Sequence, residues 1–342
     1  MIHAPERDPW GRDLAGTVHE LEFSSEALRG NPLGDAADRP LYVYTPPGWP
    51  DDGPYPAVWA IQGYTGQIDM WRNRQAFGST FIEDVDRDIR EGRCRPVVMP
   101  LPDCFTAYGG SQFLDSAGTG NYQTYLCDEL VPFVDERFNT VASPEARAVQ
   151  GKSSGGYGSL VLAMLRPDVF GALGDISGDA AFEYCYLPDF PDTWRTLREH
   201  DGSIERFWEA FLKDRSPGNA TFATVNAIGM AAAYSPGPDG EPEMPFSMED
   251  GSLREDVWAR WLEFDPVRML PERLDALRGL RAISLECGWQ DEYRLYAGTA
   301  MLHTALEREG IEHRFELFEG KHGGIGYRYH ETVAWLTERL AG

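Results

Sequence analysis

The stretch that decides the fold is "ARAVQGKSSGGYGSLVLAML", Ala146 to Leu165. Gly151-Lys152-Ser153 has the look of the end of a phosphate-binding loop. That motif needs G-x-x-x-x-G-K-[ST], because its first glycine opens the wide turn whose N–H groups wrap phosphates. Counting back from Gly151, the first glycine would stand at position 146, which is alanine. The residues "ARAVQ" also read as a strand, so nothing remains to form the loop. Gly151-Lys152-Ser153-Ser154-Gly155 fits a second pattern, G-x-S-x-G, with a β-branched run before it and a helical run after it. This is a strand-turn-helix elbow, in which small flanking residues let a serine occupy a strained backbone. Ser153 is therefore the candidate nucleophile.

A serine hydroxyl is a weak nucleophile at neutral pH, and it needs a histidine base oriented by a carboxylate. In such elbows the chain order is serine, acid, histidine. Of the seven histidines, His303, His313, His322 and His330 lie late enough. His303 falls within an amphipathic helix and His313 opens a strand. His322 sits in the glycine-flanked loop of "FEGKHGGIGYR", directly after the last strand, and is the expected base, with His330 in reserve. For the acid, "SLECGWQDEYR" offers Asp291 in the loop after a strand, where open α/β sheets gather their chemistry, with Glu286 still inside the strand as reserve. Two backbone N–H groups should face a developing oxyanion: that of Ser154, and that of Tyr64 in "IQGYTGQIDMW".

Around this core, short β-branched runs alternate with amphipathic helical stretches across 342 residues. The pattern predicts an α/β fold with a mostly parallel central sheet, helices on both faces and a single domain over 1–342. Strands are expected near 17–25, 40–46, 56–63, 95–103, 146–150, 172–177, 280–288 and 313–320. A helix over 120–138 should kink at Pro132. After the sixth strand the rhythm breaks, and residues 181–266, rich in aromatics, read as a helical, cap-like insertion.

Composition narrows the function classes. Net charge is −24, from 55 acidic and 31 basic residues, which disfavours nucleic acid and anionic lipid as partners. No apolar run approaches the roughly 20 residues of a membrane span. The opening "MIHAPERDPWGRDLAG" lacks the apolar core of a secretory signal, so the expectation is a cytoplasmic protein. Five scattered cysteines form no metal-spaced cluster and read as reduced core thiols. No cofactor and no metal are expected; a homo-oligomer is left open.

With these residues in place, the chain resembles the putative-esterase branch of the α/β-hydrolases, which includes esterase D (S-formylglutathione hydrolase), siderophore esterases, feruloyl esterases and mycolyltransferases. The matching pieces are "AIQGYTGQIDMW", "GTGNYQTYLCDELVPFVDERF", "GKSSGGYGSLVLAM", "LECGWQDEY" and "FEGKHGG", in family order from about Leu41 onward. The resemblance implies an α/β-hydrolase fold, a Ser153-His322-Asp291 triad and an oxyanion hole at Tyr64 and Ser154. The implied function is a serine carboxylic-ester hydrolase acting on a small-molecule ester through an acyl-enzyme. Gln62 departs from relatives that carry His or Asp there, and the insertion is longer than in minimal members. Trp71, Tyr108, Gln112 and Trp289 are expected as pocket walls. An acyltransferase with the same triad and a non-catalytic ligand receptor stand as alternatives. A propeller-bearing peptidase does not fit, because the chain has no repeats.

Overall fold

The computed structural model describes residues 14–74, 77–214 and 218–340. Most of the opening stretch read for a secretory signal, residues 1–13, lies outside them. Eight strands make the central sheet: β1 (Thr17–Ser24), β2 (Asp38–Thr45), β3 (Ala57–Ile61), β4 (Met99–Pro102), β5 (Arg147–Lys152), β6 (Ala172–Ile176), β7 (Ala282–Gly288) and β8 (Arg314–Phe318). β1, β2 and β4 pair antiparallel, whereas β3, β5, β6, β7 and β8 run parallel in that order. A parallel bridge between Ala57 and Val98 joins the two groups, with the Val58 N–H donating to the Val98 carbonyl at 3.0 Å.

The parallel strands are buried on both faces, which their continuous apolar runs require. β3 shows the division: Val58 and Ala60 pack against one side, and Ala57, Trp59 and Ile61 against the other. The first side is covered by α1 (Phe81–Arg90) and by the closing helix Arg328–Thr337, through Ile82, Val85, Val333 and Leu336. The second side takes α2 (Val131–Phe138) and α3 (Ser154–Leu165). Every residue of α3 from Ser154 to Met164 is buried. An all-round apolar helix has to be enclosed, and α3 has the sheet on one side and the later helices on the other.

Those later helices lie between β6 and β7: α4 (Phe190–Arg198), α5 (Ile204–Lys213), α6 (Asn219–Tyr234) and α7 (Glu255–Leu262). Their aromatics, Phe190, Tyr234, Trp258 and Trp261 among them, join the core that holds Leu160 and Val161 of α3. α8 (Leu295–Arg308) and α9 (Arg328–Thr337) complete the fold.

The helix expected over 120–138 differs in detail. A π-turn at Tyr125–Leu130 precedes α2, and Pro132 sits in the first turn of α2. Proline has no N–H and its ring crowds the carbonyl four residues back; the widened turn relieves both. Among the described residues, no helix is long and apolar enough to cross a membrane. The five cysteines are all buried and free.

Candidate active site

β5 runs straight into α3, and the turn between them is Ser153. Its backbone stands at φ 60°, ψ −128°, a conformation that L-residues avoid and that costs on the order of 1–3 kcal/mol. The flanking glycines are required by crowding. A Cβ on Gly151 would lie 2.5 Å from the Gly155 carbonyl carbon, and one on Gly155 would lie 2.5 Å from the Ile61 carbonyl oxygen. The elbow is thus pressed onto the end of β3.

That contact brings the loop after β3 to the serine. A Cβ built on Gly63 would sit 3.4 Å from the Ser153 Cβ, which sets Tyr64 beside the elbow. The Tyr64 hydroxyl lies 2.6 Å from the Tyr108 carbonyl and 2.8 Å from the Val225 carbonyl, sharing one proton between a loop and α6. Burial pushes this phenol above its ordinary range. With its amide oriented to satisfy both neighbours, Gln62 donates to the Pro102 carbonyl (3.1 Å) and accepts from the Cys104 N–H (2.6 Å).

Asp291 lies just past β7 with a side chain removed from solvent, and His322 just past β8 with a side chain 14% exposed. His322 Nδ1 stands 2.7 Å from Asp291 Oδ2. The other carboxylate oxygen accepts from the Tyr293 N–H at 2.8 Å, while the His322 N–H donates to Glu292 Oε2 at 3.0 Å. The Tyr293 ring meets the imidazole edge-on, with centroids 4.8 Å apart. Both partners of the pair are therefore fixed by a second ring of contacts.

Ser153, Ser154, Tyr64 and His322 line one cavity of about 370 Å³. Its walls also include Lys152, Asp179, Tyr186, Phe222, Asn226, Tyr293 and Tyr329. Tyr186, Phe222 and Asn226 come from the 181–266 segment. The expected wall residues lie elsewhere. Trp71 is buried with its ring 5.1 Å from that of Tyr329, on the side of the sheet covered by α1 and α9. Tyr108 packs edge-on to Trp208, and Gln112 is buried with its amide donating to the Tyr234 hydroxyl at 2.9 Å. Trp289 is 60% exposed beside Tyr296. Sequence position put all four near the sheet edge, but the directions of their side chains depend on tertiary packing.

The reserve residues are engaged away from the cavity. Glu286 is buried under Arg328 (3.0 Å) and Thr332 (2.6 Å), and His330 faces Asp88 at 2.6 Å. His303 and His313 bond each other at 2.8 Å. Asp179 and Lys152 line the cavity and were not singled out from the sequence. Asp179 stands just past β6, the same kind of position that identified Asp291, and Lys152 lies inside the elbow motif itself. Burial raises the Asp179 carboxyl and lowers the Lys152 ammonium, which Asp291 and Glu292 partly hold charged. Among the described residues, no group of three or more His, Cys, Asp or Glu side chains could hold a metal ion.

Comparison with known proteins follows the same outline. The family model described as "Putative esterase" matches residues 36–329. YbbA of Bacillus subtilis, itself uncharacterized, is 26% identical over 156 residues, 43% of this chain and 60% of its own length. An endo-1,4-β-xylanase/feruloyl esterase of Xylanibacter ruminicola is 27% identical over 192 residues, 51% of this chain and 22% of its own length. The chain thus spans under two thirds of these curated relatives. A solved ferulic acid esterase superposes with a TM-score of 0.61 at 17% identity, over 96% of this chain and 100% of the other. That likeness shows the fold, an α/β-hydrolase.

Proposed function

The chain belongs to the putative esterase family, and from that premise we propose that it is a serine carboxylic-ester hydrolase working through an acyl-enzyme. One observation carries the reading. A serine held at φ 60° shares a cavity with a histidine whose Nδ1 is taken by a solvent-shielded carboxylate.

In this reading Asp291 fixes the His322 tautomer by accepting from Nδ1–H, which leaves Nε2 as the basic nitrogen. Nε2 takes the Ser153 proton as Oγ attacks the ester carbonyl. The negative charge then forming on oxygen is met by the N–H groups of Tyr64 and Ser154, and by the N-terminal end of α3. One such donor is worth on the order of 3–4 kcal/mol in the transition state. The imidazolium returns its proton to the leaving alcohol, and water repeats the sequence on the acyl-serine. Every proton is moved by the chain's own side chains. Residues 181–266 act as a cap that contributes one wall and shapes which ester enters.

Rapid mixing with p-nitrophenyl esters of graded acyl length tests this. The expected result is a phenolate burst of one equivalent and an acyl mass increment on the peptide holding Ser153. A folded protein that turns over none of them, or carries the acyl group elsewhere, would overturn the reading.

A further inference from the structure

Apart from Asp291, the partner of His322, two buried acids, Asp175 and Asp179, have neither an arginine or lysine partner nor a set of backbone donors among the described residues. Asp175 accepts only from the Gly178 N–H, and of the two Asp179 is the one that lines the cavity. Asp86 is met by Arg90 at 3.1 Å, Asp88 by Arg93 and His330, Asp103 by Arg39, and Glu286 by Arg328. Asp265 accepts from three backbone N–H groups. Asp179, only 8% exposed, has instead two hydroxyls, Ser154 Oγ at 3.3 Å and the Tyr186 hydroxyl at 3.1 Å, both on Oδ2. Among the described residues, none is assigned to it as a salt-bridging arginine or lysine. Burial lowers the ammonium of Lys152, the lysine of the same cavity, and the charges that oppose this are those of Asp291 and Glu292.

The positive group that acts on Asp179 is the His322 imidazole, charged only when protonated. A carboxylate withdrawn from water here therefore lacks a permanent cation, which is costly unless something supplies the charge. This one faces the cavity that holds Ser153, hydrogen-bonded to the residue next to the candidate nucleophile. A substrate lying across Ser153 therefore reaches it. The surrounding surface, at net charge −24, concentrates cations from solution.

Building on the esterase reading above, we propose that Asp179 is the specificity-determining residue of the site and receives the ammonium or guanidinium group of a cationic ester. Tyr186 and Ser154 hold the carboxylate in place for that contact. No covalent step is added; the ion pair forms as the ester binds and persists into the transition state.

Matched ester pairs test this. Choline butanoate against 3,3-dimethylbutyl butanoate places the charge in the alcohol, and ethyl 6-aminohexanoate against ethyl heptanoate places it in the acyl part. In at least one pair, kcat/KM should favour the cationic ester by about tenfold or more, as expected of a charge-assisted contact. In Asp179→Asn that ratio should fall to near one. The ratio separates recognition from structure, because a merely structural Asp179, or one serving only the His322 imidazolium, would lower both esters alike and leave the ratio intact. A ratio that survives Asp179→Asn, or that disappears in the native protein at high salt, belongs to the outer surface and overturns the proposal. Equal turnover of both members of each pair overturns it while leaving the esterase reading standing; no turnover of any ester removes both. Should Asp179→Asn fail to fold, inhibition of neutral-ester hydrolysis in the native protein decides. Butylammonium inhibiting more strongly than butanol supports the proposal, and equal inhibition overturns it.

Discussion

Two histidine–aspartate pairs in this molecule make the same contact. His322 faces Asp291 at 2.7 Å, and His330 faces Asp88 at 2.6 Å, each through Nδ1. The carboxylates are almost equally hidden, with side chains 0% and 5% exposed. What separates them is their setting. The first pair hangs on loops after β7 and β8, beside a strained serine in a cavity. The second pins α1 to α9, where Asp88 also accepts from Arg93 Nε at 2.9 Å. The same interaction can orient a base or join two helices, and the neighbouring groups decide which. A histidine–carboxylate contact alone is therefore no sign of catalysis.

The largest effects should come from the first setting. Ser153→Ala and His322→Ala are each expected to cut ester turnover by at least ~10⁴ with the fold retained, checked by kcat and circular dichroism. An unfolded Ser153→Ala would make the elbow a structural turn. Asp291→Asn should cost on the order of 10³–10⁴ in kcat, because the amide favours the wrong imidazole tautomer. If it costs less than tenfold, the two pairs differ less than their surroundings indicate.

His330→Ala addresses the other side of the comparison. It should lower unfolding free energy by about 1–3 kcal/mol, the scale of a hydrogen bond to a charged group, and leave turnover close to that of the native protein. Urea denaturation and initial rates measure both. A turnover loss matching that of His322→Ala would break the comparison.

A carboxylate with no histidine gives the smallest and subtlest test. Asp175 lies beneath the elbow, accepts from the Gly178 N–H at 2.7 Å, and is pushed by burial up to about 8. A carboxyl whose folded pKa is raised contributes stability below its unfolded value near 4, and that contribution is lost as pH climbs through the folded value. Asp175→Asn cannot ionise, so its melting temperature relative to the native protein should rise steadily from about pH 4 to pH 8. A flat difference across that window would mean that Asp175 is ionised throughout.

Much of this arrangement was legible in the sequence because the signals were local. G-x-S-x-G between a strand and a helix, with Asp291 and His322 each just after a strand, depends only on spacing along the chain. The nearly continuous apolar run "PAVWAIQG" around β3 likewise reads as a strand buried on both faces. α1 was overlooked although its capping box, Thr80 with Glu83, is written in the sequence. The cavity walls were not legible. Trp71 and Trp289 flank the right loops, but one turns into the core and the other into solvent. Tyr186, Phe222 and Asn226 reach the cavity from a segment distant in sequence, through packing that periodicity does not encode. Asp179 obeys the positional rule that found Asp291, yet only three-dimensional contact shows that, among the described residues, two hydroxyls and no arginine or lysine meet its carboxylate.

The most direct test of an activated Ser153 is labelling with a fluorophosphonate probe, followed by mass mapping of the modified residue. The account predicts a single adduct on Ser153, abolished in His322→Ala and retained in His330→Ala. A folded protein that stays unlabelled, or an adduct that survives the loss of His322, would contradict it.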